Sequence, residues 1–197
     1  MKKYLFEKTR DLFWQIYGKR LKNPEIPMII DSILFICKGN ICRSPFAEHI
    51  GNKILEEKGV DHLKCYSAGL EVGNSISPPE EAILAAQHFG IDLKEHKSRK
   101  VEGDIVQRAS VIFTMEKKDF NSLNDKFPYL SPYLKERVFL LPLFKKDCNQ
   151  SVGYFLRYNI TDPYGKDLNS FINCYQRIKE CLVKFFDDYL LSAGSKK

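Results

Sequence analysis

Short apolar runs alternate with helix-like segments through most of this 197-residue chain, and this alternation is the feature that most constrains its fold. Residues 32–37 have the length and composition of a buried strand, and three further segments are candidate strands: residues 64–68, 110–115 and 137–142. Helical spacing or helix-boundary residues mark three further segments: residues 44–59, 78–90 and 167–191. Strands that alternate with helices favour a parallel sheet with helices on both faces and right-handed crossovers. We therefore expect one main α/β domain.

The first 31 residues stand apart from this pattern. Asn23-Pro24 and Ile26-Pro27 interrupt a helix, because proline moves the preceding residue out of the α region, so a linker is predicted near residues 23–31. Residues 2–21 are predicted to form an amphipathic helix with its apolar residues near one side: Leu5, Phe6, Leu12, Phe13, Trp14, Ile16 and Tyr17. Two interpretations of this helix remain open: it packs on its own domain or on a second copy, or it lies on a membrane surface. The predicted domains are residues 1–31, an N-terminal helical extension with its linker, and residues 32–197.

Composition and charge exclude several classes of protein. Hydrophobic residues make up 44% of the chain and charged residues 28%, so disorder is not expected for most of it. No window approaches the ~18 uncharged apolar residues of a membrane span, and no secretory signal is recognisable at the N-terminus, so we expect a cytoplasmic location, with peripheral membrane contact through residues 1–22 as the alternative. Of the net charge of +6, residues 1–30 hold +4, which leaves too little in the main domain to predict a nucleic-acid partner.

The cysteines and histidines do not predict a metal site. The six cysteines, of which Cys148 is one, include no CxxC pair with zinc-ligand spacing, and the four histidines form no HExxH pattern. Most of these thiols are expected to be buried apolar residues in a reducing compartment. The spacing of these residues therefore predicts no metal site.

The loop after the first strand is where chemistry is expected, because ligands of parallel sheets bind beyond the carboxyl ends of the strands. It reads CKGNICRSP, and we predict that its backbone N–H groups and the following helix N-terminus surround one phosphate-sized anion. Gly39 and Asn40 tolerate the positive φ that such a turn needs, Ser44 is predicted to cap the helix, and Arg43 offers a planar fork for two oxygens. The absence of a following GK[ST] argues against a nucleotide P-loop. The phosphate-binding residues are predicted to be Lys38, Gly39, Asn40, Ile41, Cys42, Arg43 and Ser44.

Cys37 lies at the floor of this predicted loop. The N–H groups, the guanidinium of Arg43 and the hydroxyl of Ser44 favour its thiolate, which would be a nucleophile aimed at phosphorus. Cys42 has two open interpretations: it is a passive neighbour, or it is a resolving thiol that traps oxidised Cys37 as a disulfide. Displacing a phenolic oxygen also needs a proton donor, and Asp162, held on a stiff turn by Pro163, is the candidate.

These residues together resemble the low-molecular-weight protein tyrosine phosphatase family, bacterial branch, over about residues 32–190. The similar segments are CKGNICRSP, SAG, FTME and DPYGK: residues 37–45, 67–69, 113–116 and 162–166. The resemblance implies a four-stranded parallel sheet of order 2-1-3-4, with Cys37 as nucleophile, Arg43 as phosphate clamp and Asp162 as general acid. It implies no metal and no cofactor.

The resemblance also shapes the expected substrate. Arginine-phosphatase relatives carry threonine at the position of Ile41, so an apolar side chain there is more consistent with phosphotyrosine. Leu63 falls where the eukaryotic enzymes place an aromatic pocket wall, and Tyr164 is expected to be the main aromatic wall. The expected partner is a phosphotyrosine protein, and the bacterial branch suggests a tyrosine kinase of polysaccharide export.

Two other functions are the alternatives to this expectation. A phosphotyrosine-binding adaptor would capture phosphate without turnover. A thioredoxin-coupled arsenate reductase needs two more cysteines after the third strand, and residues 113–123 contain none. The chain also departs from the family pattern in two places, of which the N-terminal helical extension is the first. The second is residues 145–161, which are longer than the family's usual approach to the acid loop.

Overall fold

A four-stranded parallel sheet forms the centre of the protein. The computed structural model describes residues 2–145 and 153–194, so Cys148 and much of the long approach to the acid loop lie outside the described residues. The strands are β1 (Ser32–Cys37), β2 (Lys64–Gly69), β3 (Val111–Thr114) and β4 (Val138–Leu140). Their order in the sheet is β2-β1-β3-β4 and every pairing is parallel. The predicted fold class and strand order are confirmed.

The described residues form eight α-helices: α1 (Lys2–Tyr17), α2 (Arg43–Glu57), α3 (Glu80–Gln87), α4 (Gly103–Arg108), α5 (Lys117–Lys126), α6 (Ser131–Arg137), α7 (Tyr154–Tyr158) and α8 (Leu168–Gly194). Short 3₁₀ turns follow α1 at Gly18–Arg20 and β4 at Leu141–Phe144, and a third, Pro128–Leu130, precedes α6. Helix α2 begins at Arg43, with Cys42 as the N-cap residue, so the predicted capping role of Ser44 is wrong. The Ser44 hydroxyl lies instead against the sulfur of Cys37.

The helices cover both faces of the sheet, as alternating strand side chains require. Ile33 and Phe35 of β1 pack in the larger core with residues of α2, α3 and α8. Leu34 and Ile36 point to the opposite face, where the smaller core contains residues of α4, α5 and α6. Because both faces of β1 are buried, its sequence is a continuous apolar run rather than an alternating one.

The register of the strands places the functional loop. Cys37 pairs with Gly69 at the carboxyl end of β1, and Ile36 pairs with Thr114 of β3. The loops after β1, β2 and β3 therefore meet at one edge of the sheet. A Cβ at Gly69 would come within 2.9 Å of the Asn40 backbone nitrogen, so only glycine lets β2 pass this close beneath the loop.

Helix α1 packs against α7 of its own domain, which is the first of the two interpretations that the sequence left open. The buried Trp14 ring stacks on Tyr158, with centroids 5.9 Å apart, and meets Phe155 edge to face at 5.7 Å. Asp11 accepts a hydrogen bond of 3.0 Å from the backbone N–H of Phe155. The packed side of α1 is therefore the one that carries Trp14, and most of the predicted apolar side is exposed. Gly18, in the turn that follows α1, is buried as well. No helix among the described residues is long and apolar enough to cross a membrane.

Candidate active site

An open cavity of about 510 Å³ lies at the carboxyl edge of β1. Its lining brings together the three residues that the sequence predicted to carry the chemistry: Cys37, Arg43 and Asp162. Lys38, Gly39, Ile41 and Cys42 of the predicted loop and the exposed ring of Tyr164 line it as well. Asn40 and Ser44 belong to the same loop, but their side chains are fully buried on the side away from the cavity and hold the shape of the loop.

Asn40 supplies the bend of the loop. With φ of 53° it is the one described non-glycine residue in the left-handed region, where a side chain that can bond its surroundings offsets the strain. Its amide group donates to Ser44 Oγ at 3.0 Å and to Ser67 Oγ at 2.8 Å, and its Oδ1 accepts the backbone N–H of Arg99 at 2.9 Å. Gly39, which was also expected to allow a positive φ, does not adopt one.

The sulfur of Cys37 sits among hydrogen-bonding groups. Ser44 Oγ lies 2.9 Å from the sulfur, and the backbone N–H of Asn40 donates to it at 3.3 Å. These contacts stabilise a thiolate because each partner can direct a proton toward the sulfur. The second thiol of the loop differs, since burial raises the pKa of Cys42 and keeps it neutral. Both cysteines are free, so the resolving role of Cys42 stays a prediction.

Arg43 is fully buried and joins three segments of the chain. Its Nη1 donates to Glu116 Oε1 at 2.7 Å and to the carbonyl of Ile160 at 3.0 Å, and its Nη2 donates to Asp162 Oδ2 at 2.7 Å. Burial by itself lowers the pKa of Arg43, but the negative charges around it outweigh burial and the net shift is upward. The buried Nε has no hydrogen-bond partner among the described residues. An unsatisfied buried donor next to a nucleophile and a loop of N–H groups is suited to an oxyanion.

Asp162 lies at the rim of the cavity, about a third exposed. Its Oδ1 accepts the backbone N–H of Tyr164 at 3.2 Å, an Asx turn that fixes the carboxyl on the Pro163 corner. Its other oxygen, Oδ2, accepts a hydrogen bond of 2.7 Å from Arg43 Nη2. An anion bound at the guanidinium would compete with Asp162 for the Nη2 donor of Arg43.

One predicted pocket residue is in the wrong place. Leu63 is fully buried in the larger core and does not line the cavity, because it precedes β2 and faces the helices rather than the carboxyl edge. The apolar wall comes instead from the loop after β2, which contributes Val72 and Ile76. This loop carries no motif, so sequence patterns gave no signal for it.

Residues remote in sequence support the loop and were not predicted to do so. Glu116, after β3, is the buried partner of Arg43, and Ser67 of β2 accepts from Asn40. His96 donates its Nε2–H to the carbonyl of Asn40 at 3.0 Å, and burial lowers the pKa of His96, which keeps the ring neutral. The hydroxyl of Tyr175 in α8 donates to the carbonyl of Cys42 at 3.2 Å. The segments SAG and FTME were the only sequence signals for two of these residues.

The buried carboxylate pair behind Arg43 gives a testable pH dependence. Asp119 accepts the backbone N–H of Glu116 at the start of α5, and burial raises its pKa to about 6, although the positive charge of Arg43 acts in the opposite direction. Unfolded aspartate has a pKa near ~3.9. The native state therefore holds this proton more tightly, so the associated stability is complete below about pH 4 and is lost as pH rises through about 6.

We expect Asp119→Asn, which mimics the protonated carboxyl and keeps the acceptor, to be more stable than the native chain at pH 8. The free energy of unfolding should rise by up to about 3 kcal/mol, and the difference should close below about pH 4. Urea unfolding of both proteins across this range measures it. Asp125→Asn, on the exposed side of the same helix, is the matched control. A less stable Asp119→Asn protein at pH 8 would mean that attraction to Arg43 outweighs burial.

The comparisons with known proteins agree with this geometry. The family model for low molecular weight phosphotyrosine protein phosphatase matches residues 32–193. The chain belongs to this family. A low molecular weight protein-tyrosine-phosphatase of Acinetobacter johnsonii is 28% identical over 156 residues, which cover 79% of this chain and 96% of the relative. The crystal structure of the Erwinia amylovora tyrosine phosphatase AmsI superposes with a TM-score of 0.66 at 27% identity and covers 81% of this chain and 93% of AmsI.

Another relative is named for a different activity, arsenate reduction. Arsenate reductase 1 of Staphylococcus saprophyticus is 29% identical over 154 residues, which cover 78% of this chain and 95% of the relative. The family model shows the family, and similarity to relatives at 28–29% identity does not separate its activities. The separation has to come from the residues at the site.

Proposed function

We propose that this protein is a protein-tyrosine phosphatase that hydrolyses phosphotyrosine through a cysteinyl-phosphate intermediate. The observation that carries the proposal is the convergence of Cys37, Arg43 and Asp162 on one cavity, with the Nε donor of Arg43 left for a ligand. The arginine and the loop N–H groups bind the phosphoryl oxygens. The apolar side chains of Ile41, Val72 and Ile76 leave a wall suited to an aromatic ring.

The chemistry proceeds in two displacements. The thiolate of Cys37 attacks phosphorus and forms the S–P bond while the bond to the phenolic oxygen breaks, and Asp162 donates its proton to that oxygen. Ser44, 2.9 Å from the sulfur, stabilises the thiolate before attack and again when it leaves. In the second step Asp162, now a carboxylate, takes a proton from water as the water attacks phosphorus and releases phosphate and Cys37.

The surroundings of Cys37 argue against arsenate reduction. That reaction needs further thiols that pass electrons to an external reductant. Residues 113–123, from the end of β3 onward, contain no cysteine, and the described cysteines beyond them, Cys174 and Cys181, are buried in α8. Burial also raises the pKa of Cys174 to about 12, so it is a poor attacking thiol. A binding-only adaptor would have no use for an acid at the position of Asp162.

We also propose a bacterial tyrosine kinase as the physiological substrate. The segment DPYGK, residues 162–166, supports this because it resembles the branch of the family that acts on kinases of polysaccharide export. The exposed Tyr164 ring at the rim of the cavity offers a surface for residues beside the phosphotyrosine.

A substrate panel tests the proposal. Matched peptides that carry phosphotyrosine, phosphoserine or phosphoarginine are compared by phosphate release, together with a kinase-tail peptide of clustered phosphotyrosines. We expect kcat/KM for phosphotyrosine to exceed the others by at least about 100-fold, since apolar walls favour the aromatic ester. An adaptor would release no product burst in rapid mixing. Arsenate-dependent consumption of reduced thioredoxin, or preference for phosphoarginine, would contradict the assignment.

A further inference from the structure

Helix α1 has two faces with different surroundings. The side that carries Trp14 is packed on α7, as described above. The side turned away from α7 exposes five large apolar side chains to 56–66% of their area: Leu5, Phe6, Leu12, Phe13 and Ile16. We call these five residues the outer face of α1.

The outer face is a continuous stripe rather than scattered exposure. At 100° per residue, Leu5, Leu12 and Ile16 fall within an arc of about 40°, and Phe13 and Phe6 continue it on one side. Exposed single apolar residues are ordinary on soluble proteins, but a contiguous stripe of this kind marks an interaction surface. Nothing in the remainder of the described chain covers it.

The charges on and after α1 indicate which kind of partner binds the outer face. Lys19, Arg20 and Lys22 are exposed directly beyond the last turn, and residues 1–30 carry +4 in sum. The acidic residues of the helix, Glu7 and Asp11, lie on the side of Trp14, where Asp11 is bonded to Phe155. Within α1 both acidic side chains therefore lie opposite the outer face, and three exposed basic residues follow the end of the helix. A second copy of the same segment would bring like charges together.

We propose that the outer face of α1 docks on an anionic lipid bilayer. The helix lies in the plane of the membrane, with its five apolar side chains at the boundary of headgroups and acyl chains and its basic residues at the anionic headgroups. Trp14 and α7 stay on the side of the protein. The surface is separate from the cavity of Cys37, so the proposal stands apart from the proposed function.

Co-sedimentation of the full-length protein with vesicles tests this. The probes are vesicles of phosphatidylcholine alone and of phosphatidylcholine mixed with phosphatidylserine. We expect binding to the mixed vesicles that weakens with salt, and at least about tenfold weaker partitioning for the double variant Leu12→Gln, Ile16→Gln. The triple variant Lys19→Gln, Arg20→Gln, Lys22→Gln should also lose binding, since each basic residue contributes about fivefold.

The matched controls are exposed residues elsewhere on the protein. Leu84→Gln on α3 removes one exposed leucine, and Lys64→Gln, Lys94→Gln, Lys135→Gln together remove three exposed lysines; both variants should bind as the native chain does. Hydrolysis of a soluble aryl phosphate should be unchanged in the α1 variants, which shows that they fold. Equal vesicle binding by the outer-face variant and Leu84→Gln would overturn the proposal. A dimer in sedimentation velocity that the double variant dissociates would assign the face to a second copy and overturn it too.

Discussion

A Cys37→Ser protein is expected to lose turnover of aryl phosphates by roughly 10⁴-fold or more, because a hydroxyl at this position is not ionised by the contacts that stabilise a thiolate. The phosphate-binding groups remain, so the variant should still bind a phosphotyrosine peptide. Steady-state kinetics with phenyl phosphate and calorimetric titration with the peptide measure the two effects separately.

The control for this experiment is Cys65→Ala, which removes a buried thiol in β2 that does not line the cavity. It should keep native turnover. Retention of activity by Cys37→Ser would reject the covalent mechanism. Loss of peptide binding together with activity would indicate that the loop itself had collapsed.

An Asp162→Asn protein is expected to lose kcat by about 10²–10⁴-fold with phenyl phosphate, because the amide cannot protonate the departing oxygen. The loss should be much smaller with 4-nitrophenyl phosphate, whose leaving group needs little protonation. This dependence on the leaving group separates a general acid from a residue that only holds Arg43 in place. A structural role alone would lower both rates by the same factor.

The matched control is Asp61→Asn, an exposed aspartate that does not line the cavity. The thermal midpoint of each variant should be recorded, since Asp162 also pairs with Arg43 at 2.7 Å. Equal rate losses for the two substrates, with an unchanged midpoint, would exclude Asp162 as the acid.

Much of the fold was predictable because its central elements carry strong local patterns. Strands β1, β3 and β4 are almost entirely buried and apolar, whereas β2 alternates at its start, and β1 was predicted with its observed bounds, Ser32–Cys37. The short helices α4, α6 and α7 were not predicted, since five to seven residues give too few turns for a helical period to appear. The ten-residue helix α5 was not predicted either, because its sequence, KKDFNSLNDK, is mostly polar and has few apolar positions to show a period. The apolar side of α1 was predicted from its spacing, but pattern alone could not reveal that Trp14 would pack inward while the rest stayed exposed.

Some residues of the site could be predicted from the sequence and others could not. Cys37, Asn40, Arg43 and Ser44 are close in sequence, and their chemistry could be deduced from the loop itself. Glu116 is 73 residues from Arg43, and no local pattern connects a carboxylate to an arginine at that distance. Leu63 was misplaced for a related reason, because an apolar residue before a strand can face either the core or a ligand. Only the packing of the helices decides between the two.

The anchoring of Asn40 determines how the protein meets its first ligand. The bend in the loop is held from β2 and from residues 96–99 by hydrogen bonds within the protein itself. Folding therefore already gives the loop the shape that binds an oxyanion. Binding does not have to order the loop, so this entropic cost is avoided. Vanadate, sulfate or a phosphorylated side chain should accordingly bind in a single kinetic phase. The binding rate should be limited only by the separation of the Asp162 carboxylate from the Arg43 guanidinium.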